Sequence, residues 1–147
     1  MIKRAILAIV SVATVVSAGA VVSAAGAAKT TQFTDTSVGA SIGGNRSVAV
    51  VHDPEAGQGA SVETVKLNGL SGTGRIITYW GDGTTTDVVS FKLTAPDSNG
   101  ISHISGQGHQ VAATGKFKGS KAKVTFSGTY DIKTTISRVT IKGTVTS

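Results

Sequence analysis

The feature of this sequence that most constrains its fold is an alternation of apolar and polar residues in short runs. The segments VVSFKL, residues 88–93, and VTIKGTV, residues 139–145, both place apolar side chains at every second position. Because successive side chains of a β-strand point to opposite faces, this period of two predicts strands with one buried face. The region that follows residue 28 shows no apolar period of an α-helix, which favours an all-β fold.

Further runs of the same kind occur along the chain, at residues 47–51, 62–67, 75–80, 101–105 and 124–130. Turn residues separate them, including Asp82-Gly83, the cluster at 95–100 and a longer loop at 52–59. Short strands at this spacing suit a sandwich or a barrel built from consecutive hairpins. A closed barrel also leaves no exposed sheet edge, so we predict an up-and-down antiparallel barrel of about eight strands.

Residues 1–28 have the layout of a secretory signal peptide. Lys3 and Arg4 precede an apolar stretch at residues 5–22, and small residues follow, with Ser23 and Ala25, or Ala25 and Ala27, at suitable positions for cleavage. A permanent membrane anchor is the alternative, but the stretch is only weakly apolar and no basic run follows it. The sequence therefore predicts a secreted, extracellular protein in which residues 29–147 form a single β-barrel domain.

Few residues carry recognisable chemistry. There is no cysteine, and no phosphate-binding loop or nucleophile elbow occurs, so we predict no cofactor and favour a non-catalytic protein. His52, His103 and His109 have no compact ligand spacing, so no metal site is predicted. The segment 52–55, His-Asp-Pro-Glu, is either an acid/base cluster or only a turn.

The basic residues are concentrated in the C-terminal third, where residues 101–147 hold seven basic residues and one acidic residue. Within it, the segment ATGKFKGSKAKVTF, residues 113–126, reads as a hairpin with a type II′ turn at Gly119-Ser120. Its polar face would then carry four lysines, namely Lys116, Lys118, Lys121 and Lys123, opposite a core face that includes Phe117 and Phe126. This face is either only solvated or binds an anionic cell-surface polymer or membrane surface. Nucleic acid is disfavoured because both phenylalanines point inward, away from any base.

The same segment resembles a hairpin of the allene oxide cyclase and dirigent barrel superfamily. The likeness covers Thr114-Gly115-Lys116-Phe117-Lys118-Gly119-Ser120 and the Val124-Thr125-Phe126 that follows. The sequence departs from that pattern at Ala113 and Ala122, where glycine is usual, and at Ser120, where alanine is frequent. The resemblance implies an eight-stranded barrel around an apolar cavity, in which a cyclase acts on a fatty-acid epoxide and a dirigent protein orients phenolic radicals. The catalytic carboxylates and arginines of that superfamily have no matching positions within the segment.

Polar and aromatic residues suited to the mouth of such a barrel are Tyr79, Trp80, Asp87, Phe91 and Tyr130. Burial in the core is an equally good explanation of Tyr79 and Trp80. We therefore expect non-covalent binding of an apolar or amphipathic small molecule inside the barrel, with a basic face outside. The alternatives are an isomerase or cyclase resembling allene oxide cyclase, and a ligand-free surface-interaction or structural protein.

Overall fold

In the computed structural model, which describes residues 28–147, the chain forms a closed barrel of eight antiparallel strands. The strands are β1 (Thr30–Gly43), β2 (Arg46–Asp53), β3 (Gly57–Asn68), β4 (Ser71–Trp80), β5 (Gly83–Leu93), β6 (Ile101–Ala113), β7 (Lys121–Asp131) and β8 (Ile136–Thr146). Each strand pairs with the next in sequence, so the prediction of an up-and-down antiparallel barrel is confirmed. Apart from Ala28, the signal peptide predicted for residues 1–28 lies outside the described residues.

Strand β1 closes the barrel by pairing with β8. The pairing runs from Thr30 opposite Thr146 to Ala40 opposite Ile136. Beyond it, the backbone N–H of Lys29 donates to the carbonyl of Ser147 at 3.3 Å, and the reverse bond is 3.2 Å long. The sequence pattern did not predict β1, because three of its inward residues after Phe33 are Asp35, Ser37 and Gly39, which give no apolar period.

The hairpin predicted at Gly119-Ser120 is wrong in its register. Strand β6 ends at Ala113, a 3-10 helix follows at Gly115–Phe117, and β7 begins only at Lys121. His109, rather than Lys116, lies opposite Lys123. The physical reason is Phe117, which folds under one end of the barrel, is fully buried there, and lies 6.1 Å from the ring of Trp80. The predicted hairpin would also bury Phe117, but as a strand residue, whereas the helical turn packs its ring against Trp80.

The β6–β7 connection is also tied to the β4–β5 turn. Thr114 donates its backbone N–H to the carbonyl of Thr84 at 2.9 Å, and Lys116 donates to that of Asp82 at 3.0 Å. Trp80 pairs with Gly83, so the two central residues of the β4–β5 turn are Gly81 and Asp82. The turn predicted at Asp82-Gly83 is therefore present, but it lies one residue earlier in the sequence.

The inner faces of the strands form the core. Its buried apolar residues are Phe33, Val51, Val65, Ile76, Trp80, Val89, Phe91, Leu93, Ile104, Phe117, Ala122, Val124, Phe126, Tyr130, Val139, Ile141 and Val145. Large rings lie over glycines of the neighbouring strand, as Phe91 does over Gly72 and Phe33 over Gly143. Alternating large and small residues in this way fills the narrow interior of an eight-stranded barrel.

Candidate functional site

The barrel separates its acidic side chains from its basic ones. Four carboxylic residues point inward and are at most 1% exposed, namely Asp35, Asp53, Glu63 and Asp87. The other acidic residues of the described chain, Glu55, Asp82, Asp97 and Asp131, lie in connections or at the end of β7. All twelve basic residues of this part of the chain are exposed. The surface therefore carries twelve basic and four acidic side chains. This excess of positive charge is larger than the composition of the chain indicates.

A groove runs across the outer surface between two rows of outward side chains. Each row joins paired residues of neighbouring strands. It starts on β1, crosses to β8, and continues through β7, β6, β5 and β4 to β3. One row is Gln32, Thr144, Lys123, His109, Val88, Arg75 and Thr64, and the other is Thr34, Lys142, Thr125, Gln107, Ser90, Thr73 and Lys66. The floor is the backbone of the inward residues between the rows, and the groove has a volume of about 1460 Å³.

The groove is basic and rich in hydrogen-bonding side chains. Lys66, Arg75, Lys123 and Lys142 are its permanent cations, His109 adds an imidazole, and neither row contains a carboxylate. Seven of the eight strands contribute, so the groove winds around most of the barrel. A row that follows the hydrogen bonds of a barrel climbs along its axis, because the strands are tilted.

The structure divides the four predicted anion-binding lysines between two places. Lys121 and Lys123 lie on the outer face of β7, and Lys123 lines the groove. Lys116 and Lys118 lie in the β6–β7 connection, where the Nζ of Lys116 contacts Oδ2 of Asp82 at 2.8 Å. The four lysines therefore do not form the continuous ladder that the hairpin register predicted.

The five residues predicted to bind a ligand do not line one site. Tyr79 is 51% exposed on the outer face of β4, because it neighbours the inward Trp80 on the same strand. Trp80, Asp87, Phe91 and Tyr130 point into the barrel and are at most 7% exposed. Their side chains form part of the buried interior, and the indole Nε1–H of Trp80 donates to Thr85 Oγ1 at 3.5 Å.

Two of the buried carboxyl groups lie side by side. Thr36 pairs with His52, which places Asp35 beside Asp53 on the inner face of β1 and β2. Burial, together with a hydrogen bond to Asp53 and the charge of that group, raises the pKa of Asp35 to about 9. Asp53 Oδ1 also accepts the backbone N–H groups of Glu55 and Ala56, so it holds the β2–β3 turn.

Glu63 is another inward acid with a defined contact. Ser47 Oγ donates to Glu63 Oε2 at 2.6 Å across the β2–β3 pair. The segment 52–55 does not form an acid/base cluster, because His52 and Asp53 end β2 with His52 outward and Asp53 inward, and the turn begins at Pro54. In the described part of the chain, no group of three or more histidine, cysteine or acidic side chains could hold a metal ion. Within residues 28–147, no helix has the length and apolar character needed to cross a membrane.

The sequence did not identify most of the groove. Gln32 and Thr34 belong to β1, which was not predicted, and Lys66, Arg75, His109 and Lys142 are widely separated in sequence. The feature that these groove residues share in the sequence is that each lies at an outward position of its strand. Only the register of the strand pairs shows that these outward positions fall on two adjacent rows.

No protein-family model matches this chain, and no curated protein or solved structure is significantly similar to it. The resemblance to the allene oxide cyclase and dirigent superfamily therefore stays a prediction.

Proposed function

We propose that this is an exported, non-catalytic binding protein whose basic outer face holds an anionic polymer of a cell surface or its surroundings. The observation that carries the proposal is the groove, where four cations and an imidazole line a continuous surface without a carboxylate. A basic surface of this kind attracts anions over several ångströms and raises their local concentration. The four acids inside the barrel are shielded from this ligand, because each is at most 1% exposed.

The strength of single contacts favours a polymer over a small anion. An exposed ion pair contributes about 0–1 kcal/mol, whereas a Kd of about 1 mM requires about 4 kcal/mol. One or two lysines on this surface would therefore hold a small anion very weakly. A polymer that reaches several cations at once adds their contributions with little further loss of freedom.

A small molecule inside the barrel is the other proposal that follows from the sequence. It would have to displace core side chains such as Phe91 and Tyr130, which are 4% and 1% exposed. Exposing one large apolar side chain of the core to water costs about 1.5–3 kcal/mol. Native mass spectrometry of the gently purified protein tests this second proposal, which a bound lipid would support.

The test of the proposed function compares two polymers with the same backbone, dextran sulfate and uncharged dextran. We expect the protein to bind immobilised dextran sulfate and not dextran. We also expect the affinity to fall steeply between about 50 and 200 mM salt, because binding releases counterions from the polymer. Absence of binding at the lower salt concentration, or equal binding to both polymers, would contradict the proposal.

A further inference from the structure

We infer that the ligand of the groove is a flexible anionic polysaccharide that winds around the barrel, rather than a membrane or a nucleic acid. This inference rests on the proposed function and goes beyond it by assigning the path and the chemical class of the polymer. The path is set by the two rows of side chains, which cross seven strands in order of their pairing.

The cations of the groove lie on opposite sides of the barrel. Lys66 is on β3 and Lys123 on β7, and these strands are four positions apart in a closed ring of eight. Arg75 on β4 and Lys142 on β8 are related in the same way. A flat bilayer contacts only one side of a barrel, so it reaches only one member of each pair. A stiff duplex is excluded for the same reason, because its persistence length is about 50 nm.

A flexible chain in the groove would meet these cations in succession. From β8 to β3 through β7, β6, β5 and β4 there are five steps between neighbouring strands, or roughly 24 Å at about 4.8 Å for each step. The cations Lys142, Lys123, Arg75 and Lys66 are met in that order, with the imidazole of His109 between Lys123 and Arg75. Negative groups spaced along a polymer would therefore each find a cation within reach.

The uncharged side chains of the groove indicate the chemistry of the polymer between its negative groups. Eight of the fourteen are neutral hydroxyl or amide groups, namely Gln32, Thr34, Thr64, Thr73, Ser90, Gln107, Thr125 and Thr144. Hydroxyl and amide side chains both donate and accept hydrogen bonds, which suits the hydroxyl groups of sugars. None of the fourteen is phenylalanine, tyrosine or tryptophan, the rings on which proteins that bind single-stranded nucleic acid stack bases. Tyr79, which is half exposed, lies outside the two rows.

The experiment compares exposed lysines in the groove with exposed lysines outside it, using dextran sulfate as the probe. The groove variants are Lys66→Gln, Lys123→Gln and their double variant. The control is the double variant Lys92→Gln/Lys118→Gln, which removes the same charge from positions outside the two rows. Both lysines of each pair are exposed, so the circular dichroism spectrum and Tm of all variants should match those of the unmodified protein.

We expect each single groove variant to weaken binding and the double groove variant to weaken it roughly tenfold, with much less effect in the control. Equal losses in the two double variants would overturn the groove inference while leaving the proposed function intact, since only the total charge would matter. A loss with Lys123→Gln but none with Lys66→Gln would overturn the winding path. Tighter binding of single-stranded oligo-dT than of dextran sulfate at the same salt would overturn the assignment to a polysaccharide. Absence of dextran sulfate binding by the unmodified protein would instead overturn the proposed function.

Discussion

Asp35 and Asp53 face each other inside the barrel, across the β1–β2 pair. Two neighbouring carboxyl groups in a buried site are stable only when one of them carries a proton. Asp35 is the protonated partner, because burial and the charge of Asp53 raise its pKa to about 9. Asp53 Oδ1 meanwhile accepts the backbone N–H groups of Glu55 and Ala56.

Replacing Asp35 should change how stability depends on pH. Its folded pKa of about 9 lies above the ordinary value of 3.8, so between these values the folded chain holds a proton that the unfolded chain has lost. The contribution of Asp35 to stability is therefore fully present below about pH 4 and is lost as pH rises toward 9. The loss is at most about 1.4 kcal/mol per pH unit. In the variant Asp35→Asn, the side-chain amide donates to Asp53 without titrating, so the stability of this variant relative to the unmodified protein should increase with pH.

Urea unfolding at several pH values between 4 and 9 measures this difference. Ser37→Ala is the matched control, because Ser37 is a buried polar residue on the inner face of the same strand but does not titrate. Its effect on the free energy of unfolding should be the same at every pH. A constant difference for Asp35→Asn as well would mean that Asp35 does not hold a proton in the folded protein.

For Asp97 and Asp131, stability changes with pH in the opposite direction to that for Asp35, and at lower pH. Backbone N–H groups of Ile101, Asn99 and Gly100 hold the pKa of Asp97 below its usual value, and those of Lys133 and Thr134, with the Thr134 hydroxyl, do the same for Asp131. Their stabilising contribution is present above the ordinary pKa and is lost as pH falls through the lowered pKa. We expect Asp97→Ala to reduce stability at neutral pH, and to reduce it less as pH falls through the lowered pKa of Asp97. Thermal unfolding at pH 7 and pH 2 checks this.

Adding a methyl group under the ring of Phe33 should destabilise the barrel. A Cβ at Gly143 would lie 2.5 Å from Phe33 Cζ and 2.6 Å from the carbonyl oxygen of Lys123. Overpacking of this kind costs about 1–3 kcal/mol, so Gly143→Ala should lower the free energy of unfolding by that amount. Gly81→Ala is the control, because no atom lies within 4 Å of its added Cβ and Gly81 has no positive φ. If the two variants unfold at the same urea concentration, the ring does not lie against Gly143.

The ion pair between Lys116 and Asp82 should contribute little to stability. The atoms are 2.8 Å apart, but the side chains are 31% and 66% exposed, so water and salt screen the attraction. We expect Lys116→Gln to change the free energy of unfolding by less than about 1 kcal/mol. Phe117→Ala, one residue further along, should cost about 3–5 kcal/mol, because its ring is fully buried beside Trp80. Similar unfolding midpoints for the two variants would contradict the burial of this connection beneath the barrel.

The alternation of apolar and polar residues predicted the barrel and its strands where the inner face is apolar, as in β5 and β8. It did not predict β1, whose inward residues after Phe33 are polar or small. Hydrophobic periodicity registers only strands that bury apolar side chains, and a barrel with buried carboxyl groups departs from that rule.

The candidate site was harder to predict from the sequence than the fold was. Adjacent residues of a strand point to opposite faces, so Tyr79 and Trp80 cannot both line the interior. The sequence alone predicts this. The groove required the register of six strand pairs, which a pattern in one strand does not contain. The predicted lysine hairpin was wrong because Phe117 is buried from a 3-10 turn against Trp80, a tertiary contact, and not from a strand paired across Gly119-Ser120.

The most direct test of the outer groove is a titration of isotope-labelled protein with short dextran sulfate, followed by amide chemical shifts in NMR spectra. We predict shifts at residues 64–66 on β3 and at 123–125 on β7, which lie on opposite sides of the barrel. The indole N–H of Trp80 in the interior should not shift. Shifts confined to the β6–β7 connection, or centred on the Trp80 indole, would contradict a ligand that winds around the outside of the barrel.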